Sequence, residues 1–594
     1  MHAAVATIPA EAKLAPPIAQ HVWATRYRAA ASPAGPDASI AATWRRVAHA
    51  LAAVEPAGRE SWEQRFHEIL EAFAFLPGGR ILAGAGTTQQ PTLFNCFVMG
   101  TLADSLGGIG RALAEAALTL QRGGGIGIDF SPLRPHGTPA RTSGTIASGP
   151  VSFIGVFDAM CETIQSTGAR RGALMATLRC DHPDIGRFIT AKAAPGALSH
   201  SNLSVLVSDA FLAAIRRRED WPLQFPPSVE RARVPAAPLW QSLLRASYES
   251  GDPGVLFIDR INRLNNLGYC ERISATNPCG EVPLPPYGAC DLGSINLARL
   301  VRDPFTPAAR LDTDRLAEIV TVAVRLLDNV IDASPFPLRR QRDAVRRARR
   351  IGLGITGLAD ALVMLGMRYG DDASLAFAAS TMRAIRDAAY RASVGLAEEK
   401  GAFPAFQRQA CLDAPFIRAL PADIRDAIAR HGLRNSHLLA IAPTGTISLL
   451  AGNVSSGIEP VFAADQRRLV LDAEARPVEF VVTDYAVQLW RDREGRADAL
   501  PSALLTAAGV SGEAQIDMLA ALQPYVDNAI SKTITLPETR NFEAFAGLFE
   551  RAYDQGLKGC TVFRPAARRA VLAPVPSAGY PDCPVCAEAR ASGS

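Results

Sequence analysis

Three reactive groups fall within five consecutive residues: Asn277-Pro278-Cys279-Gly280-Glu281 offers an amide, a thiol and a carboxylate. Pro278 pushes the residue before it out of the helical region, and Gly280 weakens any helix after it, so the segment is expected to be extended. In an extended chain residues two apart share a face. Asn277, Cys279 and Glu281 would then point together at one small ligand, the alternative being a loop with a half-buried cysteine.

Two further cysteines have informative neighbours. Cys290 opens Cys290-Asp291-Leu292-Gly293-Ser294-Ile295-Asn296-Leu297, and Cys96 sits in the short apolar run Asn95-Cys96-Phe97-Val98-Met99. If the fold held their Cα atoms about 4.4–6.8 Å apart they could cycle between dithiol and disulfide. Sequence alone does not show that proximity. Pro443-Thr444-Gly445-Thr446-Ile447-Ser448 reads as a small-residue turn into a helix, whose free N–H groups and hydroxyls would accept a phosphate. Gly123-Gly124-Gly125-Ile126-Gly127 fits neither the dinucleotide nor the P-loop pattern. Close backbone packing is its safer reading, although close approach to a ligand needs the same glycines. Cys583-Pro584-Val585-Cys586 has the spacing of a redox dithiol and of half a zinc site; no other Cys or His lies in the last 30 residues, which favours redox. The nine histidines form no paired ligand spacing, so no metal site is expected.

The elements that must position these groups are those of a large globular enzyme. The chain has 594 residues, 48% of them hydrophobic and 20% charged, too apolar for a disordered chain. Its formal net charge of +4 implies no nucleic-acid partner. Seven arginines between Arg339 and Arg350 read as a solvated helix face, since aromatic residues are absent among them. No secretory signal or membrane span is recognisable, and a cytoplasmic location is expected. Ten cysteines are too few for a disulfide framework. Cys161, Cys180, Cys270, Cys411 and Cys560 are read as buried small hydrophobes.

Residues 1–20 read as a loose Ala/Pro-rich tail, 21–80 as helical, and 81–565 as alternating short apolar runs and helical patterns. Such runs are Phe94 to Met99, Gly125 to Phe130, Leu203 to Val207, Val255 to Ile258, Ile295 to Leu297, Leu438 to Ile441 and Thr561 to Phe563. This is an α/β chain, and periodicity does not separate one large barrel from several doubly wound units. Residues 566–594 read as a flexible arm carrying the Cys583/Cys586 pair.

In order, the segments around Cys96, from Arg122 (RGGGIGIDFSPLRP), at 277–281, from Cys290, from Arg349 (RRIGLGITGLAD), from Ala442 (APTGTIS) and from Asn528 to Leu536 resemble the catalytic chain of ribonucleotide reductases. Among these, the adenosylcobalamin-dependent class II enzymes are the most similar. The resemblance implies a ten-stranded α/β barrel whose central finger loop presents a thiyl-radical cysteine, here Cys279. It further implies Glu281 as general base, Asn277 as a ribose holder, and Cys96 and Cys290 as the reducing pair. Cys583/Cys586 would pass electrons from thioredoxin or glutaredoxin. The substrate is expected to be a ribonucleotide, as the diphosphate, with its phosphates cradled by residues 443–448 and with Asn95 and Gly125 as further contacts. Asp104 matches an effector contact for a deoxynucleotide or ATP, a surface helix cap being the alternative, and the loop Lys192 to Asn202 would relay effector identity. A homodimer is expected.

The class follows from two differences. A tyrosine pair that relays a radical from a separate metal subunit has Thr561 and Val562 at its matching positions, and Ser577-Ala578-Gly579-Tyr580 lacks the Arg-Val of a glycyl-radical site. The single CPVC, in place of a cysteine-rich tail, and the expected lack of an N-terminal ATP cone depart from longer class II chains. A class I-type catalytic subunit needing a radical-generating partner, a non-catalytic nucleotide-binding paralogue and a zinc-tail interaction protein are the competing readings.

Overall fold

The computed structural model describes residues 16–89, 91–139, 145–166, 170–471, 476–537, 539–563 and 572–574. Helices come first: α1 (Pro17–Val22), α2 (Ile40–Ala52) and α3 (Arg59–Glu71). Ser39 caps α2 by accepting from the Ala42 N–H, which satisfies one of the donors a helix start leaves unpaired. Trp44, Val47, Ala48 and Leu51 then recur at helical spacing and are buried. α1 starts inside the stretch that composition reads as a loose tail, because Ile18, Ala19 and Val22 are buried there.

A short β1 (Phe75–Pro77) leads into five strands that pair in chain order and all run parallel. They are β2 (Cys96–Val98), β3 (Gly125–Asp129), β4 (Leu174–Arg179), β5 (Ser201–Val207) and β6 (Gly254–Phe257). Parallel neighbours need long crossovers; the first two are supplied by α4 (Leu106–Gln121) and α5 (Pro150–Thr163). Next comes a hairpin of two-residue strands, β7 (Ala275–Thr276) and β8 (Pro283–Leu284).

The second parallel run begins with β9 (Ala289–Asn296), followed by α6 (Thr313–Ala333), α7 (Arg339–Ala348) and β10 (Ile351–Thr356). After α8 (Asp372–Lys400), the stretch 438–441 bridges Leu353 through Leu439 and Ile530 through Ile441, both parallel. α9 (Gly445–Leu450) follows, and β11 (Thr533–Thr535) and β12 (Gly559–Phe563) complete the run.

The two runs meet antiparallel at β9 with β2 and at β6 with β12. With 438–441 as its fifth member the second run closes the ring, so this is the expected ten-membered α/β barrel; β1 pairs with the far end of β9, outside the ring. The outer faces of the strands, such as Leu203, Val205 and Val207, pack under the helices. The inner faces surround the hairpin: Cys96, Val98, Cys290 and Leu292 of the wall cluster with Ala275, Val282 and Leu284.

That threading depends on glycine. A Cβ on Gly127 would overlap the Thr276 carbonyl, and one on Gly125 would lie 3.1 Å from Pro278 Cγ. The glycine run at 123–127 is therefore where the wall admits the finger.

The arginine-rich stretch is only partly a solvated face. Gln341 and Val345 are buried within α7. Arg349 and Arg350 at its end are also buried, paired with Asp328, Asp332 and Glu271. Cys161, Cys180, Cys411 and Cys560 are buried as expected, and Cys270 is half-buried. Among the described residues no helix is long and apolar enough to cross a membrane.

Candidate active site

The finger does not run extended through 277–281. Pro278 and Cys279 form a turn and Gly280 takes φ +86, closed by a Gly280 N–H bond to the Asn277 carbonyl at 3.1 Å. Proline is as well suited to the second position of a turn as to an extended segment, so the sequence alone admitted both. The turn separates the three groups. Asn277 and Glu281, on opposite arms, are 1% and 2% exposed, whereas Cys279 at the tip is exposed.

Even so, the two arm residues meet the wall at one spot. The Asn277 carbonyl-type Oδ1 accepts from the Val282 N–H at 2.9 Å, which locks the amide so that its Nδ2 donates to Cys96 Sγ at 3.1 Å. The Cys96 thiol in turn points at Glu281 Oε1, 3.8 Å away. On the wall, Cys96 and Cys290 are direct cross-strand partners in the antiparallel β2–β9 pair. Such partners have Cα atoms about 4.5–5.5 Å apart, inside the window for a disulfide. Both are free thiols here.

Electrostatics keeps these thiols protonated. Burial pushes Cys96 well above the usual thiol range, reinforced by Glu281, Cys290 and Cys279 and opposed only by the Asn277 amide. Burial and then the Asp291 charge do the same to Cys290. A pair of neutral S–H groups beside a carboxylate can deliver protons and, on pairing, two electrons.

Cys279 faces the other way, into a cleft of about 50 Å³ shared with Leu256, Lys532, Lys558 and Thr561. Burial pushes the Lys558 ammonium down to about 8, partly offset by Asp527. Lys558 Nζ donates to the Asp527 carbonyl at 2.6 Å and also to that of Asn528, and the adjacent Ala529 N–H holds the Glu281 carbonyl at 2.9 Å. Thr561 and Val562 lie on β12, with Thr561 toward the cleft and Val562 buried.

The remaining expected residues are placed more loosely around this centre. Pro443, Gly445 and Thr446 are exposed at the start of α9. Thr444 and Ser448 are buried, and their hydroxyls are used internally: Thr444 Oγ1 bonds Thr356 and accepts from the Gly457 N–H, and Ser448 bonds the Thr444 carbonyl. Ile447 packs in the core. Gly125 lies under Pro278, and the Asn95 Oδ1 is packed beside Gly78 without a hydrogen bond among the described residues. Asp104 does not cap α4, since Ser105 does; instead its carboxylate pairs with Arg134 at 2.9 Å. Cys583 and Cys586 lie outside the described residues. Among those described, no group of three or more His, Cys, Asp or Glu residues is arranged to hold a metal ion.

One interior group, Asp129, escaped the sequence reading, and another, Asn202, was read only as the end of the effector-relay loop. Asn202 donates from Nδ2 to the Pro278 carbonyl at 2.9 Å. Asp129 shares the inner face of β3 with Gly125 and Gly127, and burial raises its carboxyl to about 6 despite bonds from Ser131. The signal was present as period-two polarity: Asn202 and Ser204 interrupt one face of an otherwise apolar strand.

A barrel pierced by a cysteine-tipped finger, with a facing dithiol on its wall, has a counterpart among known proteins. Residues 94–563 match the family described as the ribonucleotide reductase barrel domain, and residues 15–90 its all-alpha domain. The chain belongs to the ribonucleotide reductase family. It is 41% identical over 542 residues to a vitamin B12-dependent ribonucleoside-diphosphate reductase of Mycobacterium tuberculosis, covering 88% of this chain and 75% of that protein. A like-named protein of Thermoplasma acidophilum is 36% identical over 84% of this chain and 65% of its own length. The ribonucleoside-diphosphate reductase subunit alpha of Chlamydia pneumoniae is 26% identical over 89% of this chain and 57% of its own.

Proposed function

We propose that this ribonucleotide reductase acts on ribonucleoside diphosphates and uses adenosylcobalamin as its radical source. The observation that carries the reading is the cross-strand Cys96/Cys290 pair, with Asn277 and Glu281 of the finger bonded to it and Cys279 at the tip. When bound, adenosylcobalamin supplies a carbon radical able to take a hydrogen atom from a thiol. Cys279 fits that demand: it is the exposed cysteine among those described, and its cleft leaves room beside it at Gly280, Ala529 and Gly559, with Lys532 and Lys558 also on its wall.

The Cys279 thiyl takes the ribose 3′-hydrogen and returns it at the end. Glu281 accepts the 3′-hydroxyl proton, and Asn277 orients the ribose hydroxyls. The 2′-hydroxyl leaves as water with a proton from the wall pair. Cys96 and Cys290 together give up two hydrogens and become a disulfide, which balances the two-electron reduction. The Cys583/Cys586 dithiol reduces that disulfide by exchange, and thioredoxin or glutaredoxin resets the arm. Gly445 and Thr446, exposed at the start of α9, would offer their backbone N–H groups to the diphosphate. A deoxynucleotide or ATP effector would compete with Arg134 for the neighbourhood of Asp104. Leu106 and Leu118 of α4 and Val156 of α5 are 77%, 50% and 45% exposed, an apolar face suited to a second copy in a homodimer. A cytoplasmic setting agrees with free thiols at the centre.

The test is CDP reduction by the purified chain in the dark, with dithiothreitol and a deoxynucleotide effector, with and without adenosylcobalamin. Product is expected only with the cofactor, and Cys279→Ser should abolish it. Product without cofactor, or only on adding a second protein, would overturn the cobalamin reading.

A further inference from the structure

The finger is a weak element by its own hydrogen bonds. Its two strands have two residues each, and beyond them the tip turns through Pro278, which has no N–H, and Gly280. A two-residue ladder does not hold a tip in place. Beyond the bonds that close the turn within the finger, two contacts tie the tip to the wall: the Ala529 N–H to the Glu281 carbonyl on one side, and Asn202 Nδ2 to the Pro278 carbonyl on the other. The peptide that Asn202 grips is the one joining Pro278 to Cys279.

Asn202 is itself rigidly placed, although its side chain is exposed to the barrel interior. On the residue before it, the Ser201 hydroxyl donates to Asp158 of α5 at 2.6 Å, and the His200 N–H donates to the same oxygen at 3.0 Å. On the residue after it, the Leu203 N–H donates to Asp252 at 3.1 Å, and Asp252 is paired with buried Lys192 at 2.9 Å. Two carboxylates on different elements therefore pin the start of β5 from both sides. The pinned segment presents one amide donor to the finger.

We infer that Asn202 is a positioning residue for Cys279, holding the reactive thiol through the Pro278 carbonyl, and that Asp158 links its placement to helix α5. The catalytic consequence rests on the reduction chemistry proposed above, but the clamp does not. Without the amide donor the tip samples more positions, so Cys279 is less often aligned with its partner on either side. Loss of alignment lowers kcat while leaving the diphosphate contacts, and hence KM, in place.

The experiment measures alkylation of each cysteine by iodoacetamide in the full chain, resolved by peptide mass spectrometry, for wild type, Asn202→Ala and the isosteric Asn202→Asp. Asn202→Asp keeps the shape but replaces the donor by an acceptor facing a carbonyl. Alkylation of Cys279 is expected to rise about two- to tenfold in both variants, the scale of one net hydrogen bond, with half-buried Cys270 unchanged as an internal standard. In CDP reduction, kcat should fall with KM retained. An unchanged Cys279 rate in Asn202→Asp, or an equal rise at Cys270, would overturn the clamp. A wild-type chain that reduces no ribonucleotide would overturn the proposed function while leaving the alkylation result to decide the clamp.

Discussion

Glu281 has two consequences that pull in opposite directions. Its carboxylate stands 3.8 Å from Cys96 and is, after burial, the largest influence raising that thiol. It is also the group placed to accept the 3′-hydroxyl proton. Glu281→Gln is therefore expected to lower turnover by about 10²–10⁴-fold, the usual range for general acid–base groups. It should also make Cys96 more reactive toward a thiol reagent, because a neutral amide no longer opposes thiolate formation. Slower or unchanged Cys96 labelling in that variant would contradict the electrostatic account. At this scale much was legible in the sequence. Asn277, Cys279 and Glu281 stood out by type and spacing, and Cys96 and Cys290 by resemblance to a family. Their pairing was implied only by that resemblance; the residues themselves do not show it, since the cross-strand neighbours lie 194 positions apart in the chain. Asn202 was read only as the end of the 192–202 effector loop; its bond to the finger was not legible, because one polar residue in a strand resembles any solvent-facing position.

The finger and the β3 wall must be considered together, since neither makes sense alone. Gly127 stands where β3 passes the Thr276 carbonyl, and there is no room for even one methyl group. Gly127→Ala is expected to push the finger off the wall, cost about 1–3 kcal/mol in stability as overpacking typically does, and reduce turnover far more than Gly110→Ala, whose Cβ would meet open space. Urea midpoints and CDP reduction for the two variants check this; equal activity in both would show that the finger does not depend on that approach. Strands β2, β3, β5 and β6 were readable from apolar runs, because a parallel barrel strand is short, apolar and followed by a helical period, whereas β4 (Leu174–Arg179) was not among the runs picked out. One local reading failed for a physical reason, and another held in an irregular form. The segment 277–281 turns where Pro278 and Gly280 suggested extension, since proline followed by a cysteine–glycine pair suits a turn equally well. The stretch 438–441 makes only isolated bridges before α9 begins, so an apolar run became a ring member without a regular ladder.

Across the whole molecule, the N-terminal helices are fastened to the barrel's outer layer by one buried carboxylate that no sequence pattern marked. Glu55, between α2 and α3, is fully buried and receives Arg325 of α6 through two bonds at 2.7 and 3.0 Å, Asn329 at 2.8 Å and Lys400 at the end of α8 at 3.0 Å. Burial by itself would raise its pKa; the bonds from Arg325, Asn329 and Lys400 win and hold it at about 2. An unfolded glutamate titrates near about 4.3. The folded value lies below the unfolded one, so the carboxylate's stabilisation is complete above about pH 5 and is lost as pH falls toward about 2. Two units correspond to about 3 kcal/mol. Glu55→Gln should therefore be less stable than wild type at neutral pH by an amount of that order, and Glu55→Ala by about 3–5 kcal/mol, since it leaves Arg325 and Lys400 buried without their shared partner. As pH is lowered from about 6 to about 3 the gap between wild type and Glu55→Gln should narrow by about half, because the unfolded carboxylate takes up a proton while the folded one stays ionised, and it should close only toward about pH 2. Urea unfolding of both proteins across that range measures the gap directly, and a gap that stays constant down to about pH 3 would mean that Glu55 is not the charge holding the helices to the barrel.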